Sequence, residues 1–460
     1  MKNTTFSTEG IPESQLRPAD PRNVRRAAAA GLVGTMLENY DFVIYGTASA
    51  LVFGTLFFPD ASPVVGMIAA FGAYAIGFLA RPLGGLFFSH FGEKYGRKWV
   101  LVTTLFLMGA ATFAIGCLPT YESIGVLAPI LLVICRFLQG FGAGAEQSGG
   151  ATLLTETAPL GRRGRLSSFI MVGAAFGSIL GALAWVLVQL LPDDALMSWG
   201  WRAIFWSSIL VTVAAAIIRA KMAESPIFEE LKKTVDVEQQ APLKIVAKHG
   251  RTNVLKVLFM NWGVSTQSYI YQVFMLGYLV TVVGVNTEFV PQVQLAASVC
   301  AAVAAFVTGS LSDRFGRRRM TLVLCGILVV MPFFVFPGLN TGSQVLITII
   351  LILGYMLAAQ GVTGVHMSYF PEMFGSRYRY AGVTLGREFS SIIGGGIAPL
   401  LAASLLAWFS NSWIPIAIYM SLTMLVSFLV ARMTPETVNR DLTLPTDAVE
   451  GEARPGIVPR

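Results

Sequence analysis

Apolar residues come in long runs along this chain, and short clusters of charged residues separate the runs. A run of about 20 apolar residues is the length of helix that crosses the hydrocarbon core of a membrane. The pattern predicts an all-α integral membrane protein with twelve transmembrane helices. Their predicted bounds are 27–56, 63–90, 98–118, 124–157, 164–191, 200–219, 253–285, 290–311, 320–338, 343–372, 379–409 and 412–432.

Composition and charge agree with this pattern. Apolar residues make up 54% of the chain and charged residues 13%, whereas about a quarter of a soluble domain is charged. Arg and Lys collect in every second loop, which predicts that both termini and the middle loop are cytoplasmic in the plasma (inner) membrane. The net charge of +7 therefore follows from membrane topology, and no nucleic-acid partner is needed to explain it.

One basic, glycine-containing turn occurs twice, at Ser89–Lys98 and at Gly309–Arg319, about half a chain apart. Such spacing predicts a duplicated protein with two pseudo-symmetric bundles of six helices. The predicted parts are a cytoplasmic N-terminal tail, an N-terminal bundle, a cytoplasmic linker with one or two short surface helices, a C-terminal bundle and a disordered cytoplasmic tail, at 1–26, 27–219, 220–252, 253–432 and 433–460.

Two charged residues are predicted near the middle of the membrane, Asp41 in the first span and Arg136 in the fourth. A charge at this depth is costly unless it is paired or hydrated. The pair has two interpretations: a permanent structural salt bridge, or a switch in which protonation of Asp41 releases Arg136 to bind an anionic substrate. We favour the switch.

The fourth span carries further polar groups. At 3.6 residues per turn, Gln139 and Gln147 lie within about 60° of Arg136 and form one polar stripe with it. Glu146 lies about 80° away, where it either accepts the coupling proton or makes a hydrogen bond between helices.

Arg81 lies in the cytoplasmic third of the second span, where two roles are open. It either forms a gate or packing bridge with an acid such as Glu146, or it contacts a substrate carboxylate directly. In the eleventh span the adjacent Arg387 and Glu388 point about 100° apart, so both cannot face one cavity. Either Arg387 faces the substrate and Glu388 pairs with another helix, or the reverse; we favour Arg387 facing the cavity. Further candidate substrate-binding side chains within spans are Tyr45, Trp262, Gln267, Tyr271, Gln360 and His366.

The segment Gly309-Ser-Leu-Ser-Asp-Arg-Phe-Gly-Arg-Arg318 resembles the loop signature of the major facilitator superfamily. Four other stretches are similar to its metabolite:proton symporter branch, which includes shikimate, 2-oxoglutarate and proline/betaine carriers: Glu38–Phe42, Phe78–Gly85, Ser198–Phe205 and Tyr369–Phe374. The resemblance implies transport by alternating access and a cytoplasmic gating network. Its residues would be Glu93, Arg97, Asp313, Arg317, Glu156 and Glu372.

The chain departs from this branch at several positions. The first loop signature has Ser89 and Glu93 where the family has Gly and Asp, and the first span has Asn39 where an aromatic is usual. The eleventh span has Arg387-Glu388 where an aromatic and an amide are typical. No single relative's substrate can therefore be carried over.

These observations predict a monomeric, proton-coupled importer of a small organic acid, such as a shikimate-like or dicarboxylic acid. Three intramembrane arginines exceed what a neutral sugar needs, but a sugar porter and a proline/betaine (zwitterion) symporter stay open, as does a non-transporting sensor. No nucleophile, nucleotide-binding or metal-binding motif is visible, so we expect no enzyme activity, no metal and no cofactor, with the proton gradient as energy source.

Overall fold

The computed structural model describes residues 21–220, 246 and 250–451, apart from positions 96, 145, 377, 443 and 445. Within these ranges, the side chains of 21–27, 30, 89–101, 146, 211 and 214–220 are not described. The predicted surface helices of the linker therefore lie outside the described residues, apart from positions 246 and 250.

The described residues form helices and no strands, as the sequence predicted, and the helices group into twelve spans. The first six are α1 Pro21–Leu51, α2 Pro63–Tyr95, α3 Arg97–Cys117, α4 Leu127–Thr157, α5 Arg163–Val188 and α6 Trp201–Ala220. The others are α7, which is Arg251–Tyr269 extended by further turns to Val283, α8 Phe289–Phe315, α9 Arg317–Val330 with Pro332–Leu339, α10 Gln344–Met373, α11 Arg379–Trp408 and α12 Ile414–Arg432.

Length and apolarity alone identify seven described helices as able to cross a membrane, or eight when the two parts of α9, bent by 45°, count as one. The test covers only residues whose side chains are described, so α3 and α6 enter it shortened. Helix α1 carries Glu38 and Asp41 within its apolar run, and α7 is polar and interrupted by π turns. In α1 the charges that weaken the apolar pattern belong to candidate functional groups.

Helix pairing repeats in the two halves. In the first half α1 packs on α5, α2 on α4 and α3 on α6; in the second, α7 packs on α11, α8 on α10 and α9 on α12. The same pairs therefore recur six helices later, as expected of a duplicated fold. The halves meet where α5 contacts α8 and α10, where α2 contacts α11 and where α1 contacts α7.

Glycines bring α2 and α4 into direct backbone contact. A Cβ on Gly140 would lie 1.9 Å from the Gly77 carbonyl oxygen, and one on Gly144 would lie 1.9 Å from that of Arg81. Small residues permit this approach between membrane helices. The seam places Gly77 of α2 against Arg136, and Arg81, one turn further along α2, against Gly144 of α4.

Wider π-helical turns interrupt three helices of the second half. They span Ile270–Phe274 and Leu279–Val283 in α7, Tyr355–Gly361 in α10 and Ile392–Ile397 in α11. Such turns occur frequently at functional sites, because they break the regular hydrogen-bond ladder. In α11 the turn follows Arg387 and Glu388 by one turn of helix.

The sequence predicts a disordered tail after α12, but the described residues between positions 434 and 451 pack on the ends of α9, α10 and α11. Glu436 accepts hydrogen bonds from the backbone amides of Arg317 and Arg318 at 2.8 and 3.1 Å. Arg440 donates to the carbonyl oxygens of Glu372 and Phe374. The polar, aperiodic sequence of the tail does not indicate these contacts, because the tail binds carbonyl groups and helix ends and has no apolar face.

Candidate functional site

Asp41 and Arg136 are both buried in the first half, but they are not joined directly. The Thr112 hydroxyl donates to Asp41 Oδ2 at 2.9 Å, and Gln139 Nε2 donates to the same hydroxyl oxygen at 2.7 Å. Arg136 Nη1 in turn donates to Gln139 Oε1. The direct pair predicted for the charged form of Asp41 is replaced by a chain through an amide and a hydroxyl.

The geometry around Arg136 explains why it does not reach Asp41. Its guanidinium lies over the rings of Phe42, Tyr45 and Tyr74, with ring centres 4.5, 4.3 and 4.6 Å away. Cations gain electrostatic energy over aromatic faces. Within the described residues Nη2 of Arg136 has no hydrogen-bond partner and the side chain has no ion pair, so this buried cation keeps an unused hydrogen-bond donor.

Arg81 bridges two carboxylates, neither of which is Glu146, the acid suggested by the sequence. Nη1 lies 2.8 Å from Oε1 of Glu38 on α1, and Nε lies 2.9 Å from Oε2 of Glu388 on α11. All three side chains are buried. The bridge joins the two halves and neutralises Arg81, which favours the gate interpretation over direct substrate contact. The side chain of Glu146 lies outside the described residues.

Both residues of the α11 pair reach the other half. Glu388 binds Arg81, and Arg387 donates from Nη2 to Gln147 Oε1 on α4 at 2.8 Å. Gln147 therefore contacts α11 of the other half. Nε and Nη1 of Arg387 have no partner in the described part of the chain, so this guanidinium is held by an amide and lacks a salt bridge.

The candidates on α7 divide into two groups. Gln267 donates to the carbonyl oxygens of Leu328 and Met420 at 2.8 and 3.3 Å, so it ties α7 to α9 and α12 inside the second half. Spacing could not show this, because the acceptors are backbone groups of other helices. Trp262 and Tyr271 make no such contact: the indole Nε1 and the phenol hydroxyl are buried and unpartnered among the described residues, as is Oε1 of Gln267.

On α10 both candidates are buried with unsatisfied polar atoms. His366 stacks on Phe370 with ring centres 4.3 Å apart, and neither ring nitrogen has a partner in the described ranges. Oε1 of Gln360 is likewise without one. Buried polar atoms of this kind are uncommon in folded proteins and call for an explanation, of which a ligand is one.

The halves are joined at the end that carries the basic turns. Asp313 accepts hydrogen bonds from the backbone amides of Gly164 and Arg165, both at 2.8 Å, at the beginning of α5. Arg317 pairs with Asp313 at 2.8 Å and with Glu372 at 3.2 Å. Arg379 pairs with Glu156 across the halves at 2.6 Å. The side chains of Glu93 and Arg97, the matching candidates of the first half, lie outside the described residues.

The opposite end is also closed. Thr47 of α1 donates to Gln294 of α8 at 3.1 Å, and Gln189 donates to the carbonyl oxygen of Thr287 at 2.9 Å. Between these ends, a cleft lined by Asn39, Tyr74 and Tyr269 has room for about one water molecule. This part of the interface is occluded, so a substrate-sized opening there requires the halves to separate.

The sequence did not identify Glu38, Thr112 or Tyr74 as residues of the site. It also did not identify Glu388 as the partner of Arg81. Glu38 was visible as an acid three residues before Asp41 on the same predicted helix, and that spacing places the two side chains on one face. Thr112 and Tyr74 gave no signal, because single hydroxyls and aromatics are common in membrane helices.

Comparison with known proteins gives consistent results. Residues 31–386 match the family model described as Major Facilitator Superfamily. The chain is 36% identical to the shikimate transporter of Escherichia coli (strain K12) over 90% of this chain and 95% of that protein. It is also 36% identical to the inner membrane metabolite transport protein YhjE of the same strain, covering 85% and 89% of the two chains.

A proline/betaine transporter of Escherichia coli (strain K12) is 32% identical, with 93% of this chain and 87% of that protein covered. Among solved structures, the proton:xylose symporter XylE bound to 6-bromo-6-deoxy-D-glucose aligns with a TM-score of 0.69 at 15% identity, covering 92% of this chain and 98% of that one. That likeness shows the fold.

Proposed function

Because the chain belongs to the Major Facilitator Superfamily, we propose that it is a proton-coupled symporter that imports a small organic acid by alternating access. The relatives named above are shikimate, metabolite and proline/betaine transporters, and the structural neighbour is a proton symporter. These names support transport of a small polar solute together with protons.

The observation that carries the proposal is the buried chain from Asp41 through Thr112 and Gln139 to Arg136. A proton on Asp41 changes which group of this chain must donate and which must accept. Protonation of Asp41 therefore changes the hydrogen bonds that hold Arg136, whose Nη2 has no other partner among the described residues and can bind a ligand. A single carboxylate linked in this way to a single buried cation couples proton binding to anion binding.

The cations without ion pairs favour an acid as substrate. Arg81 is neutralised by two carboxylates, whereas Arg136 and Arg387 have no salt bridge among the described residues. A substrate carboxylate would supply the missing counter-charge. The aromatic faces of Phe42, Tyr45 and Tyr74 are already covered by Arg136, which makes them poor sites for the ammonium group of a zwitterion.

We assign the protein to the inner (plasma) membrane, with both termini cytoplasmic and in contact with lipid on its outer faces. The basic turns support this orientation. We expect it to act as a monomer without a bound cofactor and without enzyme activity, since the proton gradient supplies the energy for accumulation.

The test is uptake by the purified full-length protein in lipid vesicles, with labelled shikimate, 2-oxoglutarate, proline and xylose as probes. An imposed inward proton gradient should drive accumulation of an acid, and a protonophore should abolish it. Driven uptake of xylose or proline alone would overturn the acid assignment. Binding of a probe without any uptake would indicate a sensor instead.

Asp41→Asn provides the sharper arm of this test. A permanently neutral side chain cannot release a proton, so gradient-driven accumulation should be lost while exchange of internal for external substrate continues. Glu122→Gln, at an exposed acid in the loop before α4, is the control and should accumulate substrate normally. Full accumulation by Asp41→Asn would remove Asp41 from the coupling role.

A further inference from the structure

One guanidinium in this protein is shared by two carboxylates that belong to different halves. Arg81 on α2 lies between Glu38 on α1, in its own half, and Glu388 on α11, in the other. Glu38 is 1% exposed, Arg81 3% and Glu388 5%. The strength of the contact between the halves at this point therefore depends on how Arg81 divides its interaction between the two acids.

The two acids are not equally satisfied. Glu388 accepts hydrogen bonds from Nε and Nη2 of Arg81 at 2.9 and 3.4 Å. Glu38 has Nη1 at 2.8 Å but, within the described residues, neither of its oxygens receives an aligned hydrogen bond. A buried carboxylate without aligned donors is poorly stabilised in its charged form. Glu38 is thus the member of the triad best suited to bind a proton.

Glu38 also shares a cleft with Asp41. The cleft lies between α1, α3 and α6, is lined by both acids and by Ser208, and has room for about one water molecule. Ser208 is buried, and its hydroxyl has no partner among the described residues. All the lining residues belong to the first half, so this route between the two acids does not enter the interface where a substrate would pass.

We propose that Glu38 is a second proton-binding site of the transport cycle and that Arg81 converts its protonation into closure of the contact between the halves. The inference rests on the proton coupling proposed above. The proton leaves the Asp41 carboxyl, passes through one water in the cleft and forms an O–H bond on Glu38, so that Asp41 becomes charged as Glu38 becomes neutral.

The charges around Glu38 set the direction of the effect. Arg81 faces it from α2, Arg387 and Glu388 from α11, the Tyr269 hydroxyl from α7 and Asp41 from its own helix. The cleft-lining residues of α3 and α6 are uncharged. While Glu38 is charged, it competes with Glu388 for Arg81. Once it is neutral, Arg81 interacts with Glu388 alone, and the bridge between the halves is strengthened.

The experiment measures the opening of the halves directly and needs no substrate. Spin labels at Leu160, in the loop between α4 and α5, and at Arg319, in the first turn of α9, report the separation of the halves by pulsed electron resonance in lipid nanodiscs; both positions are exposed and lie at the end with the basic turns. The full chain is used with its four native cysteines replaced by alanine. The wild-type ratio of open to closed forms should fall roughly fivefold or more between about pH 8.5 and about pH 5.5.

Glu38→Gln should give the closed distribution at both pH values, and Glu38→Asp, which keeps a carboxyl, should restore the pH dependence. Glu388→Gln should increase the open form at both values, because the bridge is lost. Glu122→Gln is the control and should behave as wild type. A Glu38→Gln protein with the wild-type pH response would overturn the proposal, as would a wild-type protein with no response.

Vesicle uptake separates this inference from the proposed function. If no probe accumulates but the pH response depends on Glu38, the transport proposal fails and the Glu38 switch stands. If an acid accumulates with protons and the Glu38→Gln protein opens and closes like wild type, the switch fails and the transport proposal stands.

If the Glu38→Gln protein does not fold, the spin-label distances in Glu38→Asp and Glu388→Gln decide the matter. A pH response that is present in Glu38→Asp and absent in Glu388→Gln supports the switch. An equal pH response in both variants overturns it.

Discussion

At the scale of single residues, the centre of this protein is defined by how its buried charges are satisfied. Arg81 has two acids, Arg387 has an amide, and Arg136 has an amide and three aromatic faces. The type of residue alone did not distinguish these three arginines. Their partners make Arg81 a salt bridge between the halves and leave Arg136 and Arg387 without a carboxylate partner among the described residues.

Arg136→Lys should weaken binding of an acid substrate. Lysine keeps the charge but loses the planar group that lies over Tyr45 and donates to Gln139. Binding free energy should become less favourable by about 1.5–3 kcal/mol, the usual size of a hydrogen bond to a charged group. Titration calorimetry with the acid that accumulates in vesicles measures this.

Arg202→Lys is a matched control for that change. Arg202 also lies over an aromatic ring, that of Trp201 at 4.4 Å, but it donates to the carbonyl oxygens of Gly116 and Leu118, at the end of the first half opposite the basic turns. Substrate affinity should be unchanged in this variant. Equal losses in both variants would mean that the effect is on stability and not on the site.

At the scale of elements, the seam between α2 and α4 makes the first half stiff. Gly140→Ala would place a methyl group 1.9 Å from the Gly77 carbonyl oxygen, which requires the helices to move apart. The expected cost is about 1–3 kcal/mol of unfolding free energy, as for other overpacked sites. Thermal unfolding in detergent, followed by tryptophan fluorescence, should show it.

Gly72→Ala is the control for the seam. It lies on the same helix as Gly77, and a Cβ there would meet nothing within 4 Å among the described residues. Its unfolding temperature should equal or slightly exceed that of wild type, because alanine favours the helix. A loss of stability as large as that of Gly140→Ala would show that glycine is needed for flexibility and not for close approach.

The tail after α12 should dock in a pH-dependent way. Burial raises the pKa of the Asp447 carboxyl, although the hydroxyl of Tyr378 and the amide of Gly375 lower it by donating hydrogen bonds. The docked carboxyl holds its proton to higher pH than the undocked one. Docking should therefore be weakest above the raised pKa and strengthen as the pH falls towards the ordinary value near 3.9.

Hydrogen exchange of the Ala448 amide, which donates to the Met373 carbonyl oxygen at 3.0 Å, measures this docking. After correction for the intrinsic exchange rate, protection should increase as the pH falls. Asp447→Asn should abolish the dependence. Glu450→Gln, which removes only the exposed pair with Arg318, should keep it. A dependence that survives Asp447→Asn would point to another group.

At the scale of the whole molecule, the two halves are held together by backbone groups as much as by charges. The beginning of α5 lies directly against α8: a Cβ on Gly164 would be 2.3 Å from the Gly309 carbonyl oxygen. Gly164→Ala should therefore separate the halves at the end with the basic turns. The Leu160 and Arg319 spin-label pair should report a larger open fraction at a single pH.

Gly326→Ala serves as the control, since a Cβ there would meet only the Phe428 ring, at an ordinary 3.7 Å, among the described residues. It should leave the distance distribution unchanged. An unchanged distribution in Gly164→Ala would mean that the hydrogen bonds from Gly164 and Arg165 to Asp313 are strong enough to hold the halves against the added methyl group.

The sequence predicted the all-helical membrane fold, its twelve spans and its family, because these depend on long apolar runs and on a repeated loop signature. It did not predict the partners of the buried charges. The contact of Arg81 with Glu388 joins residues about 300 positions apart, and Gln267 binds carbonyl oxygens that carry no side-chain signal. Such contacts depend on the rotation of each helix, which an ideal helical period does not fix when π turns intervene.

The π turns in α7, α10 and α11 have a consequence for the ancestry of the two halves. Each such turn holds one residue more than the α-helical turn it replaces, so every later side chain is rotated by about 100° relative to its counterpart in an uninterrupted helix. A duplicated gene can in this way turn a new set of residues towards the centre by gaining a single codon, without exchanging any of them. Alignments of the first half with the second should therefore need a one-residue gap at each of these turns.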